Sequence, residues 1–88
     1  MGFKVLEIQL TPNPNALKFV LDGVVSPQPA SFFNVGAAAE HPLAKRLFEI
    51  EGVTSLLLLG DFVTINKSPE TRWDDIKRQA KAVLKATA

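Results

Sequence analysis

The stretch from Val53 to Lys67 constrains the fold more than any other. Four consecutive leucines, Leu56 to Leu59, run into Gly60-Asp61, and Phe62-Val63-Thr64-Ile65-Asn66-Lys67 follows at once. A short apolar run between turn signals indicates a strand buried on both faces. Gly60 can take the positive φ that opens a two-residue hairpin turn. The rest of the chain must then supply strands beside this hairpin and a layer to cover it.

It has little length with which to do so. A chain of 88 residues forms one domain, burying roughly 60–65% of its unfolded surface. We therefore read residues 1–88 as a single domain with one core.

Two strand-like segments precede the hairpin. Residues 3–10 alternate, with Leu6, Ile8 and Leu10 on one face beside Lys4, and Val5, Glu7 and Gln9 on the other. Thr11-Pro12-Asn13-Pro14-Asn15 breaks the pattern, because the prolines lack an N–H and the asparagines favour turns. Residues 16–21 resume it, placing Leu17, Phe19 and Leu21 opposite Lys18. A hairpin with a five-residue loop results.

Asp22-Gly23 is a turn signal, and Pro27 with Pro29 forbids a central strand or a helix. A bare loop from Asp22 to His41 is too long for a compact domain. Extended pieces are expected around Val24-Val25 and Phe32-Phe33, with helical character at Ala37-Ala38-Ala39. The two phenylalanines should not both stay in water.

Pro42 suits a first helical position, and Leu43, Ala44, Leu47 and Phe48 make an apolar stripe. With Gly52 as the C-terminal signal, the first helix is predicted over about residues 42–51. Thr71-Arg72-Trp73-Asp74 reads as a capping box. It opens a last helix over about 71–86, with Trp73, Ile76, Ala80, Val83 and Leu84 inward. The order is β-β-α-β-β-α: an α+β, two-layer domain. Its four-stranded sheet, largely antiparallel or mixed, carries both helices on one face. Core candidates are Leu6, Ile8, Leu17, Phe19, Leu43, Leu47, Phe48, Leu56, Leu58, Ile65, Trp73, Ile76, Ala80 and Val83.

Little in the sequence suggests catalysis. His41, the sole histidine, sits before Pro42 and reads as a helix-flanking surface residue. The serines lie in turns or strands without a nucleophile elbow. No catalytic residue is assigned. Glu40, His41, Glu49 and Glu51 cluster in sequence, yet the two pairs sit at opposite ends of a helix, roughly 12–15 Å apart. That is too far to share one ion, so no metal site is assigned. The chain has no cysteine, which removes disulfides, CxxC zinc sites and cysteine-held iron–sulfur clusters. No cofactor-binding residue is expected.

Ten Lys and Arg against nine Asp and Glu leave a net charge of +1, with no global drive toward nucleic acid or anionic membrane. Lys77, Lys81 and Lys85, joined by Arg78, could contact phosphates or an acidic partner. The favoured reading is ordinary helix electrostatics, cations in the last turns with Asp74-Asp75 at the start and Asp74 pairing Arg78. No apolar run approaches the roughly 20 residues of a membrane helix. Met1-Gly2 leads straight into a strand, and Leu6 stands where a myristoylation signal wants Ser or Thr. The expected location is the cytoplasm.

The Thr11–Asn15 loop is the most individual feature. It is either a stiff turn or a recognition edge, since prolines lower its ordering entropy while carboxamides offer donors and acceptors. Thr11, Asn13, Asn15 and Lys18 are the candidate partner-binding residues.

Three segments resemble the N-terminal domain of the Nfu/NifU-type iron–sulfur cluster scaffold and carrier proteins. They are Thr11-Pro12-Asn13-Pro14-Asn15-Ala16-Leu17-Lys18-Phe19; Pro42-Leu43-Ala44 with Leu47-Phe48, Ile50 and Gly52-Val53; and Gly60-Asp61-Phe62-Val63-Thr64-Ile65 with Lys67, Trp73 and Ile76-Lys77. His41 departs from the pattern, standing where relatives often carry Ser. The resemblance implies a four-stranded α+β domain and a part in iron–sulfur protein maturation. It also implies that cluster chemistry resides in a separate CxxC-bearing C-terminal domain. What carries over is a non-enzymatic, partner-binding role toward iron–sulfur assembly or recipient proteins. A general cytoplasmic adaptor, or a nucleic-acid module using the last helix, are the alternatives.

Overall fold

The structure, a computed structural model, describes residues 2–86. Seven elements follow one another: β1 (Val5–Leu10), β2 (Ala16–Leu21), β3 (Ser26–Phe32), α1 (Pro42–Phe48), β4 (Val53–Gly60), β5 (Phe62–Lys67) and α2 (Trp73–Ala86). All strand pairings are antiparallel, in the order β1-β2-β5-β4-β3.

The β4–β5 hairpin forms as expected, with Gly60 at φ 56°. Its burial is one-sided, however. Leu56 pairs with Ile65 and Leu58 with Val63, and all four are buried. Leu57 and Leu59, paired with Thr64 and Phe62, are only half-buried on the other face. The run of leucines thus spans a covered face and an open one.

The covered face carries both helices. Leu43, Ala44, Leu47 and Phe48 of α1, and Ile76, Ala80 and Leu84 of α2, join Leu17, Phe19, Leu21, Leu56, Leu58, Val63 and Ile65 in one core. Trp73 and Val83 pack at its margin. At about 25 cal/mol per Å² of apolar surface, this layer is the main source of stability.

The sheet has five strands, not four. The added strand, β3, occupies the stretch that carries Pro27 and Pro29. The prolines do bar a central position, since each removes a ladder N–H, but an edge tolerates them. Their cost shows as a register irregularity between Ser26 and Ala30. Beyond β3, Phe32 turns onto the core while Phe33 is 76% exposed. Ala38 is fully buried, and hydrogen bonds Ala38 N–H to Val35 O and His41 N–H to Ala38 O wind this segment into turns.

Leu6 is a misassigned core residue: it is 59% exposed. The β1–β2 register slips between Val5 and Glu7, so Val5 and Ile8 face the core and Leu6 is turned out. A bulge inverts an alternation that sequence spacing takes as continuous. Leu10, which the same alternation set beside Ile8, lies at the strand end and is 90% exposed.

Both helices are shorter than expected. α1 stops at Phe48, and Glu49 to Gly52 form a turn in which Gly52 has φ 95°. A side chain there would also collide with Thr71. α2 starts at Trp73 rather than Thr71, whose hydroxyl sits 2.9 Å from Ser68 Oγ instead of closing a capping box. Arg78 pairs with Asp75 at 3.1 Å, not with Asp74.

Candidate partner-binding site

The Thr11–Asn15 loop joins β1 to β2, and its polar groups are largely spent on itself. The Thr11 hydroxyl lies 2.8 Å from the Asn13 carbonyl and 2.9 Å from that of Ala16. It also accepts the Asn13 N–H at 3.2 Å. Asn13 Oδ1 accepts the Asn15 N–H at 2.9 Å, an Asx turn. Such bonds hold an isolated loop in one shape.

A second set ties the loop to the body. The Lys67 N–H donates to Asn15 O at 2.8 Å, and its Nζ donates to Asn15 Oδ1 at 3.2 Å and Ser68 O at 3.3 Å. Trp73 Nε1 donates to Pro14 O at 3.1 Å. The Lys67 Nζ lies 5.6 Å from the centre of the Trp73 ring, a cation–π distance. Lys67 is only 9% exposed. A buried ammonium needs hydrogen-bond partners, and the loop supplies one of them.

Sequence reasoning did not assign Lys67 this part. Its signal was its parity: Val63, Ile65 and Lys67 alternate onto one face of β5, so a cation stands where an apolar side chain is due. Trp73 was expected as core and serves also as a hydrogen-bond donor to the loop.

Of the four candidates, Thr11 and Asn15 are half-buried, Thr11 bonded within the loop and Asn15 to Lys67, while Asn13 is exposed at the tip between Pro12 and Pro14. Lys18 is separate from the loop. It lies on the open face of the sheet, opposite Gln9 of β1 and Thr64 of β5, with Nζ 4.2 Å from the centre of the Phe62 ring. Val20 on the same strand, Phe62 on β5 and, one strand further, Leu57 and Leu59 on β4 share that face, all half-buried. The molecule therefore offers a rigid polar tip at the end of a sheet whose uncovered face mixes apolar Val20, Leu57, Leu59 and Phe62 with polar Gln9, Lys18, Ser55, Thr64 and Asn66.

His41 caps α1, its Nδ1 accepting the Ala44 N–H at 3.2 Å, and its ring stands edge-on to Phe32 at 5.3 Å. Its nearest neighbours are thus structural. Among the described residues no three His, Cys, Asp or Glu side chains are grouped so as to hold a metal ion. No helix among them is long and apolar enough to cross a membrane.

These features define a small, two-layer α+β domain with one bare sheet face and a braced hairpin loop. The chain belongs to the family described as "Scaffold protein Nfu/NifU N terminal", whose pattern it matches over residues 6–88. It is 40% identical to the mitochondrial NFU1 iron-sulfur cluster scaffold homolog of Drosophila willistoni, over 96% of this chain and 30% of the relative. It is 38% identical to the mitochondrial NifU-like protein 4 of Arabidopsis thaliana, over 90% of this chain and 28% of that one. The solution structure of a NifU-like protein from Saccharomyces cerevisiae superposes with a TM-score of 0.75 at 31% identity, covering 92% of this chain and 76% of that one. Protein SAV1430 from Staphylococcus aureus shares the fold, with a TM-score of 0.76 at 23% identity over 91% of this chain and 96% of that one.

The chain spans about three-tenths of the length of these curated relatives. The expectation of a cytoplasmic location does not stand, because the relatives are mitochondrial proteins by name. It rested on finding no targeting pattern within residues 1–88 and no helix among the described residues long and apolar enough to cross a membrane, and neither excludes an organelle.

Proposed function

We propose that this chain is a non-enzymatic interaction domain that serves iron–sulfur cluster assembly by binding assembly or recipient proteins. The observation that carries this reading is a pairing. The chain matches the N-terminal domain of a scaffold family, yet contains no cysteine. Thiolates are the usual ligands of iron–sulfur clusters. In this reading the cluster is cargo held by a CxxC-bearing domain or partner, and residues 1–88 form one domain that positions it.

Thr11, Asn13, Asn15 and Lys18 are the partner-binding residues of this proposal. Thr11 and Asn15 act by holding the loop in one shape, which lowers the ordering cost of association. Asn13 and Lys18 present the groups a partner meets.

Two experiments test it. Affinity capture with the intact domain is expected to recover cluster-binding proteins, and recovery of only proteins unconnected with clusters contradicts the role. Anaerobic reconstitution, followed by absorption spectroscopy and iron and sulfide analysis, is expected to leave the purified chain without a cluster. A stoichiometric cluster that survives chromatography contradicts it.

A further inference from the structure

The two edges of the sheet differ in what they offer a passing chain. On β3, Pro27 and Pro29 lack N–H groups and the register is irregular, so the edge is blunted. β1 forms the other edge and carries no proline. Alternate N–H and C=O groups of an edge strand point outward, and Leu6 and Leu10 are exposed along it.

At the start of β1 lies an open recess of about 420 Å³, lined by Gly2, Phe3, Lys4, Val5, Asp22, Lys81 and Lys85. The N-terminal strand is pinned to the end of α2 there, Phe3 N–H donating to Leu84 O at 2.8 Å. Lys81 and Lys85, two members of the basic stripe on α2, thereby share one recess with Lys4. Asp22, the single acid among the described lining residues, already accepts the Lys4 backbone N–H at 3.0 Å. None of the three lysines is ion-paired among the described residues. Phe3 and Val5 give the recess apolar walls and pack against the core.

We infer that the β1 edge, with this recess at its start, docks an extended peptide segment of a partner protein that carries acidic side chains among apolar ones. Main-chain pairing along β1 supplies register, and carboxylates reach Lys4, Lys81 and Lys85. A second copy of this chain fits poorly. Antiparallel pairing of two β1 strands about Glu7 sets the carboxylates of Glu7 opposite each other. It also brings residues 8–18 of the second copy toward the recess, a stretch without Asp or Glu. Nucleic acid is disfavoured by the apolar walls, by the short reach of three cations and by a net charge of +1.

This inference deepens the partner-binding reading but concerns only which surface is used. The test is titration of the isotopically labelled chain with a short end-capped peptide alternating glutamate with valine. Amide shifts confined to residues 3–10 and 81–86, with affinity falling as salt is raised, are expected. K81E with K85E, both at exposed helix positions, should weaken binding about tenfold or more. A backbone N-methylated peptide of the same sequence should lose binding altogether, which tests strand pairing without altering the protein. No saturable binding, shifts elsewhere, equal binding of the lysine-for-glutamate peptide, or tighter binding of oligothymidylate or phosphatidylserine vesicles overturns the inference, as does displacement of the peptide by self-association at rising protein concentration. Failure here with cluster proteins still captured removes the surface and leaves the function. Success here with no cluster protein captured does the reverse.

Discussion

Leu57 and Leu58 are adjacent on β4, yet they belong to different parts of the molecule. Leu58 is fully buried beneath the helices, whereas Leu57 sits half-buried on a face that no element covers. The same contrast holds along β2, where Phe19 is fully buried between half-buried Lys18 and Val20. One face of the sheet holds the domain together. The other face, with the braced loop at its end and the β1 edge beside it, carries neither helix and is the surface the proposed function assigns to partners. The lesson is that residues which look equally hydrophobic in sequence differ in what they are for.

The largest effect should fall on the covered face. Leu58→Ala and Leu47→Ala each remove a fully buried side chain and should cost ~2–5 kcal/mol in denaturant unfolding. Leu57→Ala, next along the strand, should cost well under half of what Leu58→Ala does. Equal costs for the two leucines would erase the distinction between the faces.

The brace comes next. Lys67→Ala leaves Asn15 Oδ1 without its donor and should destabilise by ~1–3 kcal/mol. Amide exchange should quicken at Asn13, Asn15 and Ala16, since that loop loses a tie to β5. Trp73→Phe keeps most of the packing but deletes the bond to Pro14 O, for ~0.5–1.5 kcal/mol. Unchanged exchange in the loop for both variants would show that it holds its shape without β5 and α2.

The smallest effect belongs to Leu6. Leu6→Ala should change stability by less than about 0.5 kcal/mol, because the bulge puts that side chain in water. A cost above 2 kcal/mol would return Leu6 to the core and move the bulge.

Most of the fold was legible because most elements carry both a period and a punctuation mark. Gly60-Asp61 located one hairpin, Pro12 to Asn15 another, and Pro42 the start of α1. What escaped has physical reasons. β3 was hidden because proline argues against a strand until the strand is known to be an edge. Leu6 was misplaced because a bulge reverses parity without leaving a glycine or proline to mark it. The Thr71 capping box was the right residue type in the wrong job, its hydroxyl facing Ser68. At the candidate site, the loop itself stood out by composition. Its partners did not, since Lys67 and Trp73 lie 52 and 59 residues from the loop positions they hold. Only the register of β2 against β5 brings Asn15 beside Lys67.

The central claim is that the braced loop and bare face meet a protein partner while the covered face does not. The direct measurement is a nitrogen–proton correlation spectrum of the labelled chain, titrated with a CxxC-bearing cluster protein recovered in the capture experiment. The account predicts shifts at Thr11, Asn13 and residues 15–18 and on the open face at Leu57, Leu59, Phe62 and Thr64, with a further set along β1. Shifts confined to the exposed sides of α1 and α2, with the loop and the open face unmoved, would contradict it.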